Sequence, residues 1–467
     1  MSRALVLAAA LGTGAVGGCR VAARPNVLLV TLDTTRPDRL GCYGHADATT
    51  PNLDRFAETG VLYERAYSTS SWTLPSHASL FTGLLPMQHG AQSTPKGAAR
   101  QLGYGVRPLA ESFTTLAEVL GAAGYRTAGV VGGPALSREL GMAQGFERYD
   151  DALDGPGEKV NGKRAEAVAD RAIAYLASFG EMPYFLFVNF FDPHAPYRPP
   201  PPYDRGLAPE DGSSQSQLLL ELVRQLDARA APVPPDRLGE RERAALDVLR
   251  AGYDAEIRYM DHHLGRLLDA VAGSARAAET LVVITSDHGE SFGEHYFLSH
   301  GAHLYEDNIQ VPLVVRPVGS RHASRVREPV QNHRLFATIL EATGLPLPAG
   351  VALRGLTVPG GAIVTEVGRS DANVRLFGAF FDRDLRAIHA PPWKLIEASP
   401  GSPELFDLAR DPGELANLSA ESADVAGALA ERLEEIVRLH PPLFDAKERA
   451  VLDSDTEEAL RALGYLE

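Results

Sequence analysis

Cysteine is almost absent: Cys19 and Cys42 are the two in 467 residues. No framework of internal disulfides can hold the fold, so a buried apolar core must, and a chain of this length can form one. Cys42, within GCYG (41–44), stands in neither a CxxC nor a zinc-type spacing and reads as a packed thiol. Positive charge is also short. Lys and Arg total 45 against 60 Asp and Glu, a net charge of −15. That balance argues against nucleic acid or an anionic membrane surface as a partner, since both call for basic patches, and no nucleic acid is expected. An anionic substrate would then need a local cationic pocket built from metal, Arg or His. Internal repeats, low-complexity tracts and apolar runs long enough to span a bilayer are missing as well. What remains, 45% hydrophobic and 22% charged residues, describes an ordinary globular chain. One large α/β domain with a smaller appendage is the expectation.

The N-terminus has a basic Arg3, an apolar run Ala4–Leu11 and then small residues, which reads as an export signal. VGGC (16–19) resembles a lipobox, in which the chain is cut before the cysteine and that cysteine is acylated. Residues 1–19 are therefore expected to be a lipoprotein-type signal peptide and Cys19 the lipid attachment. The mature protein would be exported and lipid-anchored at the cell envelope, on its periplasmic or extracellular face, with the anchor as its membrane contact. Cys42 would be the one thiol left.

Short continuous apolar runs recur at NVLLVTLD (26–33), TAGVVG (127–132), YFLFVNF (184–190), TLVVITSD (280–287) and VPLVVRP (311–317). Runs of this kind read as strands buried on both faces. Helical patterns lie between them at 112–124, 163–180 and 245–273. The alternation predicts a mostly parallel central sheet sandwiched by helices, with ligands beyond the carboxyl ends of its strands. Residues 203–244, rich in charge, Pro, Gln and Ser, read as a surface insertion or lid. Residues 345–361 read as a linker out of the main domain. Beyond it a few antiparallel strands and a helix over 428–440 suggest a smaller C-terminal α+β subdomain, 346–467.

Asp33 ends the first run, and Asp287 ends the fourth with His288 after it. One Asp at a strand end is usually a turn or cap residue, but an Asp-His pair beyond a second strand suits a divalent ion such as Mn, Zn, Ca or Mg. Histidines collect nearby: His77, His194 in DPHAPY, and His295, His300 and His303 in FGEHYFLSHGAH. They could bind ester oxygens and protonate a leaving group. With Asp192, the pair His295 and His303 leaves room for a second ion. In SWTLPSHASLFTG (71–83), Pro75 and Gly83 bracket a short helix, which puts Thr73 at or just before its N-terminus. That place suits an alkoxide or a bound oxyanion, and equally a capping threonine.

These landmarks, in this order, resemble the sulfatases of the alkaline phosphatase superfamily over nearly the whole mature length. NVLLVTLDTTRPDRLGCYGH looks like the family's opening segment, and TLPSHASLFTG stands where it has C/S-x-P-S-R…TG. DPHAPY, TSDHGESFGEH…SHG and LYEDNIQVPLVV follow, and WKLI…ELFDLARDPGELANLS resembles the C-terminal signature. The resemblance implies a sulfatase-like catalytic domain over 24–345. It implies Asp33, Thr73, Asp287 and His288 as metal ligands, and Thr73, His77, His194 and His300 as the catalytic set.

The departures matter. Thr73 replaces the Cys or Ser that becomes formylglycine, so no formylglycine is expected. His77 stands for the motif's Arg, Thr34 for the second Asp of a DD pair, and His300 where many sulfatases have Lys; the GKWH segment is missing. An unmodified Thr is the nucleophile in related phosphodiesterases and phosphoethanolamine or glycerol-phosphate transferases. The expectation is a metal-dependent hydrolase of small or polymeric sulfate or phosphate esters, with Thr73 forming a covalent intermediate. A phospho-group transferase and a non-catalytic binding protein are the alternatives.

Overall fold

The computed structural model describes residues 24–47, 49–93, 105–153, 162–207, 239–370, 374, 381–444, 452 and 454–462. The expected signal peptide and most of the expected lid, 208–238, lie outside the described residues.

The apolar runs form strands as expected. The central sheet contains β1 (Asn26–Leu32), β2 (Val61–Tyr67), β3 (Arg126–Val131), β4 (Arg148–Asp150), β5 (Tyr184–Phe190), β6 (Thr280–Thr285), β7 (Gln310–Arg316), β8 (Ser324–Val326) and β9 (Val330–Gln331). Their order is β8-β2-β7-β6-β1-β5-β3-β4, with β9 also paired to β2. β1 lies between β6 and β5 and runs parallel to both. β7 runs antiparallel to both of its neighbours, so the sheet is parallel through its centre and mixed at one side. A continuous apolar run reports burial on both faces but not direction. β2, VLYERAY, escaped the sequence reading because Glu64 and Arg65 interrupt its apolar character.

Alternation sorts the side chains of β1. Leu28, Val30 and Leu32 face the helices Ala165–Ser178 and Glu240–Ala272, through residues such as Val168, Leu249, Ile257 and Met260. Val27 and Leu29 face the helices Thr73–Thr82, Leu116–Ala122 and Leu335–Thr343 through Leu80, Leu120 and Leu340. Both faces are dry, which is why the run reads as continuous.

A second sheet follows: β10 (Ile363–Val367), β11 (Asp384–Ala390), β12 (Trp393–Ser399) and β13 (Glu404–Asp407), an antiparallel meander. Val364, Ile388, Leu395 and Leu405 pack on the helix Ala423–Leu439, while Leu385, Ala387, Ile396 and Phe406 join the core of the central sheet. Between the two sheets Lys394 is fully buried and its ammonium lies 2.6 Å from Glu414 and 3.1 Å from Glu306. A buried ammonium is tolerated only when so paired. The stretch 345–361 contains no helix or strand, yet it is docked: the Arg334 guanidinium donates to the carbonyls of Arg354, Gly355, Val358 and Gly360.

Candidate functional site

Parallel pairing brings the carboxyl ends of β1, β5 and β6 to one edge, where Asp33, the 191–198 loop and Asp287-His288 converge. The helix Thr73–Thr82 starts at the same edge. Trp72 is its N-cap and makes no side-chain cap bond, and no acid occupies the first turn. Thr73 is thus the first helical residue rather than the cap, and the helix's unpaired amides remain available to an anion. Gly83 ends the helix at φ +70°.

Asp33, Thr73, His77, Asp287 and His288 are completely buried. The Thr73 hydroxyl lies 3.2 Å from His288 Nε2. His288 donates Nδ1–H to the Gly289 carbonyl at 2.9 Å, so Nε2 presents its lone pair. The donor set fits a divalent cation. Asp33 Oδ1 and Asp287 Oδ2 are buried without hydrogen-bond partners. One ligand atom from each of Asp33, Asp287 and His288 lies within 4.8 Å of the others. Burial, then the charge of Asp287, holds the Asp33 carboxyl well above the usual range, and burial raises Asp287 too. Burial and neighbouring His300 keep His288 neutral, as a ligand must be. Such a pair of carboxylates gains most from a cation between them.

Three further groups aim this set: Asn189 and Tyr253, not named from the sequence, and Thr34, noted there only as a departure from a DD pair. Asn189 donates to Asp33 Oδ2 at 3.3 Å and to Thr31 Oγ1 at 3.1 Å. Its signal was one polar side chain inside the apolar run YFLFVNF. Thr34 sits at φ +53°, strained for a β-branched residue, and its amide donates to Asp287 Oδ1 at 3.3 Å. Tyr253, from the long helix, donates to the Thr34 carbonyl at 2.7 Å and accepts the Arg36 amide at 2.9 Å, pinning this turn.

His288, His300 and His194 form a row: ring centroids are 4.4 Å apart for the first pair and 4.9 Å for the second. His194 stacks on Phe191 at 4.4 Å. Phe191 in turn lies against Gly132 and Gly133, where a Cβ would collide with it. His300 Nδ1 is 3.2 Å from Glu290 Oε1, and His194 Nδ1–H donates to the Ala195 carbonyl at 2.6 Å. Burial pulls both imidazoles down to about 3 and pushes Glu290 up to about 7.

His77 is placed differently from the expectation that it binds ester oxygens. Its Nδ1–H donates to the Thr73 carbonyl at 2.9 Å, and Nε2 accepts from the Thr31 hydroxyl at 3.0 Å. Both nitrogens are engaged, with Asp287 Oδ2 3.6 Å from Nδ1. His77→Ala should leave a cavity and an unsatisfied Thr31, costing roughly 3 kcal/mol in urea or guanidinium unfolding. A loss under about 0.5 kcal/mol would mean these bonds do not hold the helix start.

The residues considered for a second ion are not assembled. Asp192 accepts from the Ala165 amide at 3.0 Å, with Arg164 at 3.9 Å. His303 Nε2 lies 2.9 Å from Ser291 Oγ, and His295 stacks on Tyr305 at 3.6 Å. Among the described residues only Asp33, Asp287 and His288 form such a cluster of ligand atoms.

A family model described as Sulfatase matches residues 25–345. An uncharacterised sulfatase of Escherichia coli is 26% identical over 437 residues, covering 85% of this chain and 83% of its own. Human arylsulfatase A is 27% identical over 493 residues, covering 94% and 90%. The crystal structure of the phosphonate monoester hydrolase of Agrobacterium radiobacter superposes with a TM-score of 0.69 at 25% identity, covering 89% of this chain and 96% of that one.

Proposed function

The chain belongs to the sulfatase family and is a sulfuric or phosphoric ester hydrolase, and from that premise we propose that Thr73 is its nucleophile, acting beside a divalent metal. The carrying observation is the Thr73 hydroxyl, buried at a helix N-terminus 3.2 Å from His288 Nε2, beside the orphaned carboxylate oxygens of Asp33 and Asp287. Asp33, Asp287 and His288, with Thr73, would hold the ion. When bound, it would supply positive charge that acidifies an adjacent hydroxyl and offsets charge on the ester.

Thr73 Oγ, its proton released to water, attacks phosphorus or sulfur in line; the new O–P or O–S bond forms as the bond to the leaving oxygen breaks. The amides opening the helix Thr73–Thr82 face the equatorial oxygens, where transition-state charge accumulates. With Nδ1–H committed to Ala195, His194 needs an added proton to donate from Nε2. His300 stands alike while its Nδ1–H faces Glu290. An arriving ester anion supplies the counter-charge that favours this proton. One imidazolium then hydrogen-bonds the transferred group, and the other protonates the leaving oxygen. His77 serves as a positioning residue that ties the start of the helix to β1. Water then attacks the phosphorus or sulfur of the Thr73 ester; the bond to Thr73 Oγ breaks, the phosphorus or sulfur oxyanion is released, and a proton from the water restores the hydroxyl.

Phosphorus esters suit this nucleophile better than sulfate. A threonine-linked sulfate lacks the elimination route that a formylglycine hydrate offers. The test compares metal-loaded protein on an aryl sulfate, a phosphate monoester, a phosphodiester and a phosphonate monoester. Turnover of a phosphorus ester at least about tenfold above the sulfate in kcat/KM is expected. Turnover of sulfate alone would overturn the preference for phosphorus.

A further inference from the structure

The end of the central sheet opposite the site departs from the charge of the whole chain. There the parallel strands begin and the antiparallel β7 ends. From the last residue of β7 into β8 the chain reads RPVGSRHASR (316–325), with three arginines, one histidine and no acid. Arg316 lies over the Phe56 ring at 5.0 Å. Neither it nor the exposed Arg321 has a carboxylate partner among the described residues. The Gly319 amide donates to the Ala278 carbonyl at 2.9 Å, joining this loop to the turn before β6. From that turn Arg276 donates to the carbonyl of Arg24 at 2.5 Å and of Glu181 at 3.2 Å. The loop, the first described residues and the turn before β5 thus form one continuous surface.

On it Arg24, Arg126, Arg276, Arg316, Arg321 and Arg325 stand against Glu58, Glu64, Glu147, Glu181 and Glu279, within a protein of net charge −15. Arg126, Arg276 and Arg325 pair with Glu147, Glu279 and Glu64, which leaves Arg24, Arg316 and Arg321 against Glu58 and Glu181. Val318 and Met182, two of the five exposed large apolar side chains among the described residues, also lie there, 40% and 49% exposed. The 23 residues before Arg24 join at this same end. Cys19 is within about 17 Å of chain from Arg24. β1 carries Asp33 to the other end, about 23 Å away.

We propose that this surface rests on a bilayer bearing anionic headgroups. Its arginines would meet lipid phosphates, Val318 and Met182 would enter the interface, and the site would be turned toward water. The proposal rests on the lipid-anchor reading for the place of the bilayer. It rests on the hydrolase reading for its consequence: the substrates are esters reached from the aqueous side, soluble or polymeric, and not the headgroups of the supporting membrane. Net charge argues against an anionic surface for the chain as a whole; folding gathers the exception at one end.

The test uses the full-length acylated protein in vesicles, with a fluorophore on Val318→Cys or Leu415→Cys and brominated acyl chains as quencher. Leu415 is 77% exposed and neighbours Arg36 and Glu294, which follow Asp33 and His288 at the site's end. Labelling stays selective because burial pushes the Cys42 thiol up to about 12. In phosphatidylglycerol-rich vesicles, quenching at position 318 should exceed that at 415 at least about fivefold, and Arg321→Glu should reduce the docked fraction about tenfold. Equal quenching at both positions, no response to Arg321→Glu, or the same result in phosphatidylcholine alone would overturn the proposal. So would recovery of the chain without an acyl group. Quenching reads orientation and not turnover, so this surface can fail while ester hydrolysis stands, and hydrolysis can fail while the surface holds.

Discussion

Thr73→Ala should lower kcat by about 10⁴-fold or more, with the fold intact and the metal still held by Asp33, Asp287 and His288. The substitution removes the attacking oxygen, the proposed fourth metal ligand and the contact with His288, but leaves the backbone of the helix start in place. Thr73 is the first residue of its helix, Trp72 rather than Thr73 is the N-cap, and the carbonyl that accepts from His77 is backbone. Stability should therefore change by no more than about 1 kcal/mol. Thr73→Ser keeps the hydroxyl and should stay within about tenfold of the wild type. Rapid quenching during turnover should trap one phosphoryl or sulfuryl group on the peptide that carries Thr73, and none on the alanine variant. An alanine variant retaining more than about one tenth of kcat would return Thr73 to a structural part of the helix start. A trapped group on another residue would move the nucleophile elsewhere.

Stripping the metal, or replacing Asp33 by Asn, should abolish turnover while shifting stability in opposite directions. An ion bound only by the native state stabilises it by about 2.7 kcal/mol at a free concentration a hundredfold above its dissociation constant. Chelation should lower Tm accordingly, and Tm should climb with the logarithm of added Mn²⁺ or Zn²⁺. In the metal-free protein the Asp33 carboxyl is held above its unfolded value by burial and by Asp287. The native state then binds a proton that the unfolded chain releases, so this group's contribution is full at low pH and is lost as pH rises through the folded pKa. The amide of the Asp33→Asn variant cannot ionise. Without metal that variant should therefore be the more stable of the two at pH 8, by about 1–3 kcal/mol, with the gain shrinking below pH 4. With metal added, the wild type should regain the lead. A metal-free variant no more stable than wild type at pH 8 would show that the Asp33–Asp287 arrangement is not under this strain. Retained turnover after chelation would remove the metal from the mechanism.

Much of this was written along the chain. Strands buried on both faces are apolar at most positions, so NVLLVTLD, YFLFVNF and TLVVITSD announced the sheet centre without help from tertiary context. Asp33 and Asp287 interrupt such runs at their carboxyl ends, which is why a ligand edge is legible there from the sequence alone. Pro75 and Gly83 marked the helix that carries Thr73, because proline suits a helix start and glycine an αL stop.

Other features needed the folded chain. The direction of β7 depends on its crossover and not on its composition, so VPLVVRP could announce burial but not antiparallel pairing. His77 looks like one more site histidine in the sequence. Only the pairing of Thr31 with one ring nitrogen and the Thr73 carbonyl with the other makes it a strut. The separation of Asp192 from His295 and His303 is equally a tertiary fact: the two imidazoles both pack on Tyr305, while Asp192 is drawn to the Ala165 amide. Charge followed the same division. Counting residues determined a net −15, but a count has no direction, and only the fold could gather Arg24, Arg276, Arg316 and Arg321 at the end of the sheet farthest from the site.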